Sequence, residues 1–349
     1  MPNATLTIDL GAVARNYKIL SDKARTVVGA SIKADAYGLG MIPVAQTLAQ
    51  AGCKDFFVAT IDEAIALRQE VAGNIFVLNG IHAGDRGIPD GVLPILNSLA
   101  DIKAWRGPCG LHFDTGMNRL GISGDETQML IDNPGLYAHL DVQLAMSHFV
   151  SSDDDESDMN AVQCERIATL KAQLPFKRWS LANSSGIFHA PDDLYDLVRP
   201  GYALYGGNPT PEADNPMERV VTLEVPVLQT RAVKEGESIG YNATHIFGAD
   251  TETATLALGY ADGFFRANSN ESCVYFKGQP CPVLGRVSMD LCAVGIGHLA
   301  EKPVLGDMIE VLGPTQSIDE LADTSFTIGY EVLTSLGGRH QRRYIKAHG

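Results

Sequence analysis

Residues 5–8 alternate apolar and polar positions with the two-residue period of a strand. From Leu10 the period lengthens, and Leu10, Val13, Tyr17 and Leu20 recur on one helical face behind Asp9, which is placed as an N-cap. An unbroken apolar run at 27–33 then enters a glycine-punctuated loop. A helical stretch at 44–51, a strand-like run at 56–59 and a helix through Glu63, Leu67 and Arg68 come next. Further continuous apolar runs at 75–78, 110–113, 142–146, 179–181 and 203–205 have helical stretches between most of them. Parallel strands covered on both faces read as continuous apolar runs, so close to eight such units predict a closed (β/α)8 TIM-like barrel, an α/β fold. An open doubly wound sheet competes, but no G-x-G-x-x-G follows the first strand.

The pattern changes at Gly206, where GGNPTPEADNP crowds three prolines into a stretch with little apolar mass. It reads as a linker or long crossover. Short runs at 220–227, 253–258, 274–276, 283–287, 292–294 and 309–312, separated by Gly, Pro and Asp turns, predict a second, all-β domain. One brief helix is expected at 318–322 behind the N-cap Ser317. The division is 1–215 for the barrel and 216–349 for the C-terminal β domain, with residues 1–8 free to pair with the latter. The acidic run at 153–158 reads as a solvated face of a barrel loop, and there is no internal repeat.

Composition narrows the function. The 349 residues carry 27 Lys and Arg against 42 Asp and Glu, a formal net charge of −15, so the surface is acidic almost everywhere and nucleic acid is a poor partner. The start MPNATLTIDL has neither a basic leader nor an apolar core segment, and no run is long enough to span a bilayer, which points to the cytoplasm with no membrane partner. Cys53, Cys109, Cys164, Cys273, Cys281 and Cys292 form no C-x-x-C pair, and the nine histidines show no metal-ligand spacing. Reduced cysteines, no metal and a small-molecule ligand are expected.

Lys33 closes the first strong barrel strand in ASIKADAYGLG, on the side where barrels build active sites. Its default is a lysine snorkelling from a strand end. The loop shifts the balance: Gly38 and Gly40 allow close approach of a ligand, Tyr37 offers a hydroxyl for a phosphate, and a desolvated lysine forms Schiff bases with aldehydes. Late in the barrel, LANSSGIFH sets Asn183, Ser184 and Ser185 before a helix start, and VRPGYALYG sets Arg199 and Gly201 in the next loop. Loops after the seventh and eighth strands commonly hold phosphate, and Ser184 and Gly201 fit that role, although either alone is a plain cap or turn residue. His148 in LAMSHFV defaults to a rim histidine, and Asp114, Gly116 and Arg119 in HFDTGMNRLG default to a turn closed by the Asp side chain. In the β domain Tyr241, Tyr260 with Arg266, and Tyr330 default to half-buried packing.

Taken in order, KADAYGLG, HFDTGMNRLG, SHF, ANSSG, VRPGYALYG, GYNATH, GYADGFFR, GRVSMD and TIGYEVL resemble the motif set of the alanine racemase family, over about residues 9–344. The resemblance implies a pyridoxal 5'-phosphate-dependent isomerase that interconverts L- and D-alanine through an aldimine of the cofactor. It also implies a homodimer with shared active sites. Carried over by position, Lys33 is the Schiff-base lysine and one catalytic base, and Tyr241, reaching in from the partner protomer, is the other. Tyr37, Ser184, Gly201, Tyr202 and Tyr330 correspond to the phosphate cradle. His148 lies near the cofactor ring and orients Tyr241, and Arg199 faces the pyridine nitrogen; His148, backed by Arg199, is the expected source of the positive charge that favours the Tyr241 phenolate. Arg119 and Met289 correspond to groups holding the substrate carboxylate, and Tyr260 with Tyr330 to a gate. Three positions depart from the family pattern: His112 replaces a lysine that is often carbamylated, Asp35 an asparagine and Leu39 a histidine. A bound anion or another carboxylate is expected to steady Arg119 in place of the carbamate. A serine or broader-specificity racemase is the alternative. A decarboxylase is disfavoured by Arg199 and Ser288, and a non-enzymatic carrier by Tyr241 and the β domain. Whether the D-alanine serves cell-wall synthesis or the reaction serves alanine breakdown stays open.

Overall fold

The computed structural model describes residues 3–81, 88–154, 156–189 and 194–346; of the acidic run, Asp155 lies outside them. The chain divides into two compact units, Met1–Ala12 with Tyr205–Gly207 and Arg219–Gly349, and Val13–Leu204 with Asn208–Glu218. No helix among the described residues is long and apolar enough to cross a membrane.

The first strand, β1 (Thr5–Asp9), belongs to the first of these units. Asp9 ends it and caps the following helix Leu10–Ala24, its Oδ1 accepting from Ala12 N at 2.9 Å. Leu10, Val13, Tyr17 and Leu20 are all buried, as the periodicity predicts.

The second unit is a parallel barrel. Its strands are β2 (Val27–Val28), β3 (Ala30–Ser31), β4 (Asp55–Val58), β5 (Asn74–Val77), β6 (Val92–Leu96), β7 (Gly107–His112), β8 (Leu140–Met146), β9 (Trp179–Ser180) and β10 (Leu197–Val198). Their order runs β2-β10-β9-β8-β7-β6-β5-β4-β3, and β2 and β3 are one strand interrupted only at Gly29, so the ring returns to its start. Gly29 sits where the backbone is crowded: a Cβ there would lie 2.9 Å from both Asp55 O and Phe57 Cε2. Phe57, Phe76, Leu93, Ile95, Leu144, Met146 and Leu197 fill the interior, with Phe57 and Phe76 stacked at 4.9 Å.

Two readings of the barrel are corrected. The run at 203–205 is no strand but part of the 3-10 turn Tyr202–Tyr205, and β6, centred on Pro94, takes a place that the apolar pattern had not marked. Two residues beyond the proline-rich stretch the chain is pinned at Glu218. Asn16, fully buried on the first helix, donates to Glu218 O at 2.8 Å and accepts from Glu218 N at 2.7 Å.

In the other unit the long strand β11 (Val221–Val233) bends, with a register shift between Val227 and Gln229. After β12 (Ser238–Ile239) and β13 (His245–Ile246), a small separate hairpin, come β14 (Thr251–Leu256), β15 (Cys273–Phe276), β16 (Gln279–Leu284), β17 (Cys292–Gly295), β18 (Met308–Leu312) and β19 (Gln341–Ile345). The order β14-β17-β16-β15-β18-β11 closes on itself because β11 pairs with β14 as well as β18, and β1 and β19 extend that sheet beside β11. Ser317 caps the helix Ile318–Thr324 in a reciprocal box with Glu320, and a second helix, Gly329–Ser335, follows. The unit is antiparallel β apart from these helices and the parallel β1–β19 pair.

Candidate active site

The C-terminal ends of the barrel strands carry the candidate residues of the second unit. Lys33 lies two residues beyond β3, and between it and the glycines of the expected loop stands a left-handed turn built from ordinary residues. Ala34, Asp35, Ala36 and Tyr37 sit at φ between 53° and 57°, and Gly38 continues at 82°. Left-handed geometry costs L-residues roughly 1–2 kcal/mol each, so the turn persists only if its surroundings hold it. Ala36 N bonds Ile32 O and Gly38 N bonds Ala34 O within the turn. Asp35 Oδ1 accepts from Met41 N at 2.7 Å at the head of the next helix, and Glu63 Oε1 accepts from Ala34 N at 2.7 Å. Burial and the nearby Arg119 push the Lys33 amine below the usual lysine range, while Glu63 acts in the opposite direction.

Behind the lysine lies a buried guanidinium. Arg199, just past β10, donates to Ser180 Oγ, to Ser147 O at 2.6 Å, to Leu181 O at 3.4 Å and to His148 Nδ1 at 3.2 Å. Its guanidinium carbon stands 5.9 Å from the centre of the Phe57 ring. Among the described residues it meets no carboxylate. Burial draws its pKa down to about 9, which leaves it charged at neutral pH. Arginine only donates, so His148 Nδ1 must accept and the imidazole N–H is on Nε2. Desolvation and the charges of Arg199 and Lys33 hold His148 far below the usual histidine range. Of the expected pair, His148 is thus held toward its neutral form and Arg199 carries the positive charge.

His112, the last residue of β7, is also buried and neutral. Burial and Arg199 push it down to about 4. Asn97 uses its amide N–H groups on Leu78 O and Ile95 O, so its oxygen faces His112 Nδ1 at 3.0 Å and that nitrogen is the donor. Asp114 closes the following turn as expected, its Oδ1 accepting from Gly116, Met117 and Asn118 N–H groups at 2.8 to 3.2 Å. It is therefore occupied by its own loop. Among the described residues no carboxylate pairs with Arg119, so a side-chain substitute for the missing carbamate is not found there.

Ser184 of ANSSG is not the plain N-cap that was its default reading; the cap falls to Asn183. Asn183 serves the helix Gly186–His189, its Oδ1 accepting from Gly186 N at 3.0 Å. Ser184 Oγ instead accepts from Gly201 N at 3.1 Å and Ala203 N at 3.2 Å, leaving its proton free to donate to a ligand. Gly201 is required by close packing: a Cβ there would lie 2.3 Å from the Tyr37 hydroxyl. Tyr37, Ser184 and Tyr202 are all buried.

Periodicity did not reveal the polar braces. Gln163, fully buried inside the helix Asp158–Gln173, donates to His148 O at 2.8 Å and Thr115 Oγ1 at 2.9 Å, and accepts from Val150 N at 2.8 Å. Thr115 also shares a 2.6 Å bond with Ser147, so one glutamine joins the loops that carry Arg119 and His148. A buried polar residue at a core position was its only signal in the sequence.

Tyr241, Tyr260, Met289 and Tyr330 all lie in the other unit. Tyr241, 71% exposed, begins a 3-10 turn after Gly240 and borders a pocket of about 390 Å³ lined also by Arg286, Ser288 and Leu291. Tyr260 N bonds Ser288 O at 3.0 Å and Ala261 N bonds Met289 O at 3.0 Å, which brings the Tyr260 and Met289 loops together. Tyr330 stands in the first turn of the helix Gly329–Ser335.

A sequence profile described as alanine racemase, N-terminal domain, matches residues 8–209, and one described as alanine racemase, C-terminal domain, matches residues 220–344. The chain belongs to the alanine racemase family. The alanine racemase of Acidiphilium cryptum is 47% identical over 359 residues, covering 99% of this chain and all of that protein. The catabolic alanine racemase of Rhizobium johnstonii is 43% identical, over 97% of this chain and 94% of that one. Among solved structures, the alanine racemase of Bartonella henselae with covalently bound pyridoxal phosphate superposes with a TM-score of 0.93 at 37% identity, covering 99% of this chain and 100% of that chain. The biosynthetic alanine racemase of Pseudomonas aeruginosa gives 0.92 at 30% identity with the same coverage. Both catabolic and biosynthetic alanine racemases are thus similar to it, so similarity leaves the metabolic direction open.

Proposed function

We propose that the chain interconverts L-alanine and D-alanine with pyridoxal 5'-phosphate, in a homodimer whose sites take residues from both protomers. The observation that carries this reading is a desolvated amine, Lys33, in one cluster with a buried guanidinium, Arg199, that no described carboxylate neutralises. The site suits an anionic aldehyde that carries a basic ring nitrogen. Lys33 supplies the amine for the carbonyl, Arg199 the donor for a ring nitrogen, and Ser184, Gly201, Tyr37, Tyr202 and Tyr330 the phosphate contacts. The covalently bound pyridoxal phosphate of the Bartonella henselae relative supports the same choice of group. When bound, the cofactor supplies the electron sink that acidifies the substrate Cα–H.

The protein's part is to place two bases on opposite faces. Lys33 Nζ, with its lowered proton affinity, takes or returns the Cα proton on one face. Tyr241 of a second protomer does so on the other, since a single base would tend to return the proton to the side it left. The Nε2–H of His148 is the donor that orients the phenol, and Arg199 holds that tautomer from behind. A free phenol titrates near ~10, and the charge on Arg199 favours its ionised form. Because arginine keeps its proton, Arg199 would donate to the ring nitrogen of the bound cofactor and would not protonate it, which would limit the electron sink that the cofactor supplies. Arg119 and Met289 hold the substrate carboxylate, and Tyr260 with Tyr330 narrows the entrance. A cytoplasmic setting suits six cysteines scattered along the chain with no C-x-x-C pair.

The test is a coupled assay of purified protein with L-alanine, L-serine and L-lysine. Alanine is the expected substrate, with Lys33→Ala inactive and Tyr241→Phe impaired unequally in the two directions of single-turnover proton exchange. Turnover persisting in Lys33→Ala refutes the assignment, and equal loss in both directions refutes separate bases.

A further inference from the structure

We propose that Glu63 is a positioning residue for Lys33, its carboxylate tying the left-handed turn that begins at the lysine to the neighbouring helix and keeping a negative charge near the amine. This rests on the reading of Lys33 as the cofactor-bearing base. Glu63 occupies the third position of the helix Ile61–Arg68 and forms a reciprocal box with Thr60, whose Oγ1 accepts from Glu63 N at 3.3 Å. One carboxylate oxygen completes that box: Oε2 accepts from Thr60 N at 3.1 Å and from Ala59 N at 2.7 Å. The other oxygen does something capping does not require. Oε1 reaches a strand away, to Ala34 N at 2.7 Å, the first amide after Lys33. A single side chain therefore joins the loops that follow β3 and β4 at the point where four successive residues hold left-handed geometry.

The charge matters as well as the bond. The groups around Lys33 are Arg119 from the loop after β7, Glu63, and His148 from the loop after β8 with Arg199 bonded behind it. Burial and Arg119 favour the neutral amine, His148 is itself neutral, and Glu63 opposes them. A lysine that must both take and return a proton works best when neither form is strongly preferred. Glu63 is the counterweight that keeps the ammonium form within reach.

Three full-length variants test this: Glu63→Gln, Glu63→Ala and, as a capping control, Thr60→Ala. Hydrogen exchange on the cofactor-loaded proteins should show the amides at 34–38 exchanging about tenfold or more faster in Glu63→Ala, as loss of a bond to a charged acceptor implies. Thr60→Ala should loosen only the helix start. In protein stripped of cofactor, the pH profile of Lys33 acylation by a neutral reagent, read by mass spectrometry, should move to lower pH in Glu63→Gln and stay in place in Thr60→Ala. An unmoved profile in Glu63→Gln, or exchange at 34–38 unchanged in Glu63→Ala, overturns the proposal. If Glu63→Ala does not fold, the Glu63→Gln profile alone decides. Cofactor that remains covalently attached to Lys33→Ala would instead overturn the function of Lys33, while leaving the coupling of Glu63 to that amine as measured.

Discussion

At the scale of single residues, the neutral histidines are the clearest departure from what a sequence can say. His112 is buried near Arg199 and Arg119, with Asp114 acting in the opposite direction, and His148 near Arg199 and Lys33, so adding a proton to either is opposed by burial and by like charge. For His112 the folded value is about 4 against 6.5 for the free side chain. The unfolded chain therefore binds the proton first, and stability is lost as pH falls through the window between those values. His112→Gln removes this penalty. Its stability relative to wild type, measured by urea denaturation, should rise by roughly 2–3 kcal/mol between about pH 7 and pH 4.5. A constant difference across that range would show that His112 is protonated in the folded state. The motifs identified Lys33, Ser184, Arg199 and Gly201 as individuals, because each lies in a short run of characteristic order. They did not reveal Gln163 or the second bond of Glu63, because those partners are far apart in sequence and polar side chains carry no periodic mark.

Whole elements were legible where a period was sustained. The helix Leu10–Ala24 and the box at Ser317 follow directly from apolar spacing and capping chemistry. Strand β6 was not legible because Pro94 stands in its middle, where a proline argues against an interior strand. The run at 203–205 misled because a short apolar stretch looks the same whether it extends or coils. The barrel elements are also bound together at the end opposite the site. Asp55, the first residue of β4 and almost fully buried, takes both Arg178 guanidinium nitrogens at 2.9 and 2.6 Å and Asn74 Nδ2 at 2.9 Å. Asp55→Ala leaves a guanidinium without its partner and should cost about 3–5 kcal/mol in denaturant unfolding. Since the candidate site residues of the barrel sit at the other strand ends, kcat and KM at 25 °C should be unchanged. A loss of kcat without loss of stability would mean that the pair reaches the site.

At the scale of the molecule, the residues divide by unit: Lys33, Arg119, His148, Ser184 and Arg199 lie in the barrel unit, and Tyr241, Tyr260, Met289 and Tyr330 in the β unit. If each site joins Lys33 of one protomer to Tyr241 of the other, two inactive variants should rescue one another. Refolding Lys33→Ala and Tyr241→Phe together should restore about a quarter of wild-type activity, because half the dimers are mixed and each mixed dimer has one intact site. Absence of rescue, with mixed dimers confirmed by mass, would place both bases in one protomer. The sequence by itself determined the barrel and the β-rich second half and named the candidate reacting groups, because hydrophobic period and local motif order are properties of neighbours along the chain. Only the tertiary structure decided that the turn after Lys33 is left-handed, that His148 is neutral, and that Glu63 and Gln163 brace the site. Each of these depends on desolvation and on hydrogen bonds between segments that meet only when the ring of strands closes.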